Sequence, residues 1–333
     1  MNRTLEFLQK YGVVVAFVIL LIVNAIWQGD VFFRPENLRN IVNQNAAVGI
    51  LAVGMTIVIV AGGIDLSVGS MLALSACLGV EALNRAIGGG REESTAVWVA
   101  AFSCVGAGLG LGMINGLLVA FGRVVPFIAT LGGLVAYRSL ALVVGNGGEI
   151  RSQSSSVFSR MGTDGVRLPF VTETTGQGLL IPWPVITFLA VALVFGFLLN
   201  RTRFGMYAVA VGSNEKAARY SGINTKKIVF ASFALMGLLA GVAGLLQASR
   251  MNSVASGQLG QMNELDAIAA VVIGGGSLAG GRGRIWGTVI GVLLLGTINN
   301  MLIVGSAPVY WQGFVKGAII ILAVLLQGSR RDQ

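Results

Sequence analysis

Amide side chains carry most of the usable chemistry in this chain. Asn43, Gln44 and Asn45 are consecutive, Asn115 interrupts an apolar run, Asn299 and Asn300 are adjacent, and Trp311 and Gln312 follow. An uncharged polyhydroxylated solute needs hydrogen bonds in both directions and flat apolar faces for its C–H surfaces, which amides and an indole supply. Taken singly, each of these residues is better read as a hydrogen bond between helices. Ionisable groups inside apolar runs are few. Arg138 in "GLVAYRSLALVV" reads either as a pathway residue or as a link to the carbonyls of a neighbouring helix. Lys316 in "WQGFVKGAII" reads as a packing or snorkelling side chain. Asp65 in "GGIDLSVGS", like Glu264 and Asp266 in "NELDAIAAVV", suits a helix start, where a carboxylate accepts backbone N–H bonds.

Several chemistries are excluded. The chain has no histidine, which removes histidine acid–base work and histidine metal ligation. Cys77 and Cys104 lie in apolar runs and read as core residues, so no metal site is assigned. No carboxylate pair or nucleophile–base arrangement occurs, so no catalytic residue is assigned. Neither G-x-x-x-x-G-K-[ST] nor a G-x-G-x-x-G after a strand is present, so the chain has no ATP site of its own.

One stretch differs from the rest. "VGSNEKAARYSGINTKKI" (211–228) is water-soluble in character and lies between two strongly apolar segments. A helix over about 214–221 would have Ser213 or Asn214 as N-cap and Gly222 just past its end. Glu215 and Arg219 stand i,i+4 in the favourable order. Asn214, Ala217, Ala218 and Ser221 fall on one side, giving a face of small residues only. At roughly 12 Å such a helix cannot span a membrane, and it lacks the bulky apolar face of a membrane-surface helix. A smooth face with both ends capped suits docking into a groove of another protein, whereas a plain connector would need neither.

The elements that must position these residues are membrane spans. Of 333 residues, 55% are hydrophobic and 11% charged, and the mean hydropathy is +0.80. That composition identifies a polytopic membrane protein in contact with lipid. The net charge of +9 does not point to nucleic acid, because basic residues flanking spans set membrane orientation. Apolar segments at 11–28, 41–61, 66–84, 95–121, 125–145, 183–200, 227–249, 265–280, 285–304 and 309–327 predict an all-α bundle of about ten helices, several of them glycine-broken. The run from Tyr11 to Trp27 has no small-residue cleavage site after it and reads as the first span. Arg201, Arg203, Lys216, Arg219, Lys226 and Lys227 put 200–227 in the cytoplasm and favour both termini inside. The polar loop 146–182 is then external. The whole chain, 1–333, reads as one domain. Glycines four apart, such as Gly108 with Gly112 and Gly237 with Gly241, predict close helix packing.

Four separated motifs now bear on family: "VIVAGGIDLSVGSMLAL" (58–74), "INGLLVAFGRVVPFIATLGGLVAYRSLALVV" (114–144), "GSNEKAARYSGINTKKI" (212–228) and "NELDAIAAVVIGGGSLAGGRGRIWGTVIGVLLLG" (263–296). In these, nearly end to end, the chain resembles the inner-membrane permease subunits of bacterial ABC importers for monosaccharides, the ribose, xylose, galactose and autoinducer-2 type. The resemblance implies a type II ABC-importer-like bundle with inverted repeat halves, in the bacterial inner membrane. It implies a second permease chain, identical or paralogous, two cytoplasmic ATP-binding subunits that use the ATP and Mg, and a periplasmic sugar-binding protein. The segment 200–227 is then the coupling segment, with Asn214, Glu215, Ala217, Ala218, Arg219, Tyr220, Gly222 and Ile223 meeting the ATPase. Ala217, Ala218 and Gly222 fill the A-A-x-x-x-G positions of the importer pattern, while Lys216 stands where that pattern has Glu. The pathway candidates are Asn43, Gln44, Asn45, Asn115, Arg138, Asn299, Asn300 and Trp311. Two alternatives stay open: a related permease for branched-chain amino acids, which Arg138 would suit, and an ion-coupled secondary transporter, which would need intramembrane acids.

Overall fold

A computed structural model describes residues 3–173, 176–306 and, beyond these, 308, 311, 313, 314, 317, 318 and 321. In chain order the elements are α1 (Arg3–Phe32), α2 (Pro35–Val60), α3 (Val68–Gly88), α4 (Glu93–Ala120), α5 (Pro126–Val144), β1 (Glu149–Arg151), α6 (Val157–Thr163), β2 (Gly165–Thr172) and β3 (Gly178–Pro182). There follow α7 (Trp183–Arg201), α8 (Arg203–Ser213), α9 (Glu215–Tyr220), α10 (Thr225–Met251), β4 (Ser253–Ala255), α11 (Asn263–Ile273) and α12 (Ile285–Val304). Among the described residues seven helices are long and apolar enough to cross a membrane: α2, α3, α4, α5, α7, α10 and α12. A helix satisfies its own backbone groups, which hydrocarbon cannot do. Proline in the first turn of α2, α5 and α7 suits a helix start, where no N–H is needed.

The count differs from the expected ten. The segment 265–280 is no span: α11 has 11 residues, about 16 Å at 1.5 Å per residue. Glycine turns end it at 274–276, where Gly275 takes φ +88°. The expected first span, 11–28, falls in α1, whose apolar stretch Val13–Gly29 is too short to count among the seven, and the predicted last span, 309–327, lies largely outside the described residues, as do Gln312 and Lys316. The loop 146–182 is also more ordered than its polar composition suggested. β2 and β3 pair as an antiparallel hairpin with an irregularity between Leu168 and Thr172. β1 pairs antiparallel with β4, Ile150 opposite Val254, so residues far apart in sequence close one end of the bundle. An Arg39–Glu173 ion pair of 2.6 Å fastens this end to α2, and the Ser154 hydroxyl donates to the Glu93 carboxylate.

α2 is the centre of the bundle and is buried continuously from Gly49 to Val60. Lipid tails are as apolar as leucine, so helices in a bilayer associate through close packing and not by escaping water. α4 and α10 show the extreme case. A side chain at Gly112 would collide with the Phe233 carbonyl and the Gly237 backbone, and one at Gly108 with the backbone of Gly237 and Gly241. The Cys104 thiol donates to the Gly241 carbonyl at 3.2 Å across the same seam. Cys77 and Cys104 are both free and buried. Bulky side chains such as Phe102 on α4, Val143 on α5 and Phe197 on α7 point outward, as a lipid-facing surface requires.

Candidate functional site

The soluble stretch, 211–228, takes in the end of α8, the whole of α9 and the first turn of α10, at the end of the bundle opposite the β-strands. Asn214 leaves the helical region at φ −159°, and its side chain accepts the Ala217 N–H at 3.0 Å, which caps α9. At the other end Gly222 takes φ +81°. There the Gly222 N–H donates to the Arg219 carbonyl at 3.0 Å and the Ile223 N–H to the Ala218 carbonyl at 3.1 Å. This is a Schellman closure, which needs a residue without Cβ at that position. Glu215 and Arg219 form an exposed ion pair of 2.6 Å, worth little by itself. Glu215 also accepts the Thr225 hydroxyl at 3.2 Å, joining α9 to the first turn of α10. The small-residue face divides. Ala218 turns into the chain, while Asn214, Ala217 and Ser221 face out beside Tyr220, which is 90% exposed.

Gly212, two residues before α9, fixes this segment to the bundle. A side chain there would collide with the Val60 carbonyl at the end of α2 and meet the Gly281 backbone. The Gly281 N–H donates to that same Val60 carbonyl at 3.0 Å. The turn after α2 (61–63), the end of α8 (212–213) and the turn at 280–281 thus meet backbone to backbone. Beside them lies a cavity of about 650 Å³, lined by Gly62, Arg123, Glu215, Arg219 and Lys226 among others. The Lys226 ammonium sits 5.7 Å from the centre of the Phe121 ring, a cation–π distance. No pathway candidate lines this cavity.

The eight pathway candidates fall in separate places. Most lie toward the β-strand end, on α2 and α12. Asn300 and Asn37 exchange amide hydrogen bonds of 2.8 and 3.1 Å between those helices. Asn45 donates to the Ile41 carbonyl at 2.7 Å, and Gln44 is exposed. The amide oxygens of Asn43 and Asn299 are buried and accept no bond, which leaves capacity for water or a solute hydroxyl. Trp311 is half-exposed and packs edge-on to Phe314 at 5.6 Å. Asn115 is fully buried. It donates to Ser67 at 2.8 Å and to Asp65 at 3.4 Å, and accepts the Tyr137 hydroxyl at 2.8 Å. Asp65 accepts the Ser67 N–H at 2.9 Å and its hydroxyl at 2.6 Å just before α3. Arg138 donates to the carbonyls of Ser256 and Leu259 at 3.1 and 2.8 Å, carbonyls of a loop and not of a helix.

These placements can be set beside known proteins. A family model described as "Branched-chain amino acid transport system / permease component" matches residues 37–324. The ribose import permease of Escherichia coli (strain K12) is 42% identical over 300 residues, 90% of this chain and 88% of the relative. Its namesake from Bacillus subtilis (strain 168) is also 42% identical, over 97% of this chain and 94% of its own. The xylose transport system permease of Escherichia coli (strain K12) is 33% identical over 96% of this chain and 92% of its own. The chain belongs to the ABC monosaccharide-permease family. No solved structure matches this permease. As a family member with seven apolar helices among the described residues, the permease is a multi-pass membrane protein.

Two features of the permease lie outside the pattern of its amides. Tyr137 completes the Asp65 network, and its spacing in α5 carries no distinguishing signal. The loop 256–262 enters the bundle. "SGQLGQMN", a polar run between apolar segments, marks a connection there but carries nothing that marks its depth.

Proposed function

We propose that the permease forms the translocation pathway of an ATP-driven importer for a neutral monosaccharide and receives the work of separate ATP-binding subunits through α9. The observation that carries this is the coupling segment itself. α9 is capped at both ends, presents Ala217 and Tyr220 outward, and is locked at Gly212 to the ends of α2 and of the 274–284 turn. A push on α9 is thereby delivered to the bundle without a flexible link, as a rigid-body response requires. On this reading the outward residues of α9 meet the ATPase, which holds the ATP and Mg. The β-strand end receives a periplasmic sugar-binding protein, a second permease chain completes the pathway, and both termini are cytoplasmic in the inner membrane. A sugar is supported by the relatives, which are ribose and xylose permeases by name, and by the amides of α2 and α12. A zwitterionic amino acid is less well served, because Arg138 is already bonded to two carbonyls.

The test is reconstitution of the permease with its ATPase and binding protein in vesicles, measuring which sugar stimulates ATP hydrolysis and enters. Ala217→Trp should insert normally yet separate hydrolysis from uptake. Normal uptake by that variant refutes docking at α9.

A further inference from the structure

Residues 256–262 link β4 to α11 as a series of turns, and hydrogen bonds fix their depth. At the β-strand end the Ser256 hydroxyl donates to the Gly148 carbonyl at 2.7 Å. Lower down, Arg138, two-thirds of the way along α5, holds Ser256 and Leu259. Gly260 then meets the Gly69 backbone in the first turn of α3. That turn lies beside the interior of α5, since the Ser70 hydroxyl donates to the Leu134 carbonyl at 2.8 Å. The loop therefore descends from one end of the bundle to the middle of a membrane-spanning helix.

At that depth the loop is not enclosed. Gln258, Gln261, Met262 and Leu265 are exposed, Met262 by 63%. Met262 also takes φ +63°, a left-handed conformation that a side chain other than glycine adopts at a cost and that clusters at functional sites. Gln261 donates to the Gly257 carbonyl at 2.8 Å and keeps its own carbonyl oxygen as an acceptor. Hydrocarbon cannot solvate exposed turns and free amides, so such a surface faces water or protein. Discontinuous helices at mid-membrane are where transporters place solute sites.

We infer that the exposed edge of 256–262 lines the aqueous pathway, with Gln258 and Gln261 contacting the solute and setting specificity for a neutral polyhydroxylated molecule. Each amide donates and accepts, matching a hydroxyl, and Met262 and Leu265 offer apolar contact to C–H faces. Arg138 is a positioning residue: it holds the loop from behind, so its charge is directed to backbone carbonyls. The inference rests on the proposed transport function and names residues of that pathway.

The experiment uses the permease reconstituted with its ATPase and binding protein, in a Cys77→Ala, Cys104→Ala background carrying Gln258→Cys or Gln261→Cys. A charged, membrane-impermeant thiol reagent should label both positions, and binding protein loaded with D-ribose, together with ATP, should slow labelling severalfold. Gln258→Leu and Gln261→Leu should each cut D-ribose uptake by about tenfold, one hydrogen bond's worth. Gln261→Asn should recover part of the loss. No labelling at either position, with a disulfide forming between two copies at 261, assigns the loop to chain–chain packing and overturns the inference. Unchanged uptake by both leucine variants overturns the specificity role. Wild-type uptake of D-ribose or D-xylose tests the transport function separately, because labelling reads the loop whether or not sugar enters.

Discussion

Among the described residues irregular backbone enters this bundle at two places, 61–67 and 256–262, and the two are finished in different ways. The first opens to the cavity at Gly62 but is sealed at its inner end: Asp65, Ser67 and Asn115 are fully buried, and together with Tyr137 they bond to one another. The second is propped by one cation, Arg138, and leaves Gln258, Gln261 and Met262 exposed. Each avoids backbone in contact with lipid, one by burial in protein, the other by a surface that demands water or a partner. A chain that needed only to turn would have used the first solution twice. The second is the place to look for passage.

Substitutions can break this comparison, beginning with the largest effect. Asp65→Ala orphans the Ser67 and Asn115 donors in a sealed site and should destabilise the protein by about 3 kcal/mol, read as thermal unfolding in detergent. A small change would mean the first break is not held by its network. Arg138→Met leaves two loop carbonyls without a donor. It should cost about 2 kcal/mol and lower sugar uptake further than stability alone explains, with Arg138→Lys between it and wild type. Tyr137→Phe removes one bond from the Asn115 amide and should cost about 1 kcal/mol with uptake unchanged. Gln261→Leu should shift stability by less than about 0.5 kcal/mol, as at other open surfaces, while uptake falls. Were it to destabilise like Asp65→Ala, the two breaks would be alike and the contrast void.

Much of the contrast was legible in the sequence. Apolar runs gave the long helices, because lipid imposes one requirement on every residue of a span. Asn214 and Gly222 announced the ends of α9, since caps are local chemistry. Asp65 was readable as an acceptor of backbone N–H groups, but the one it takes belongs to Ser67, ahead of α3, and neither α3 nor α11 has a side-chain cap. What local rules could not reach is depth. "SGQLGQMN" has the composition of any connecting loop, and only Arg138 and Gly69, distant in sequence, draw it down into the bundle. The half-length of α11 follows, because a chain already at mid-membrane has half the distance left to cross. The partner of Asn115 was hidden likewise: bonds to Ser67 and Tyr137 are made by three different elements, and no spacing encodes them.

The glycine seam between α4 and α10 has a mechanical consequence. α10 has 27 residues, about 40 Å of helix, and begins where Thr225 meets Glu215 of α9. With backbone against backbone at Gly108, Gly112, Gly237 and Gly241, and the Cys104–Gly241 bond across the seam, the two rods pack as a single beam. A beam of that length turned by about 5° at its α9 end displaces its far end by about 3.5 Å. A displacement of that size exceeds the diameter of a water molecule, so if α9 is driven as proposed, a slight movement at one surface would suffice to admit or shut out solvent at the other.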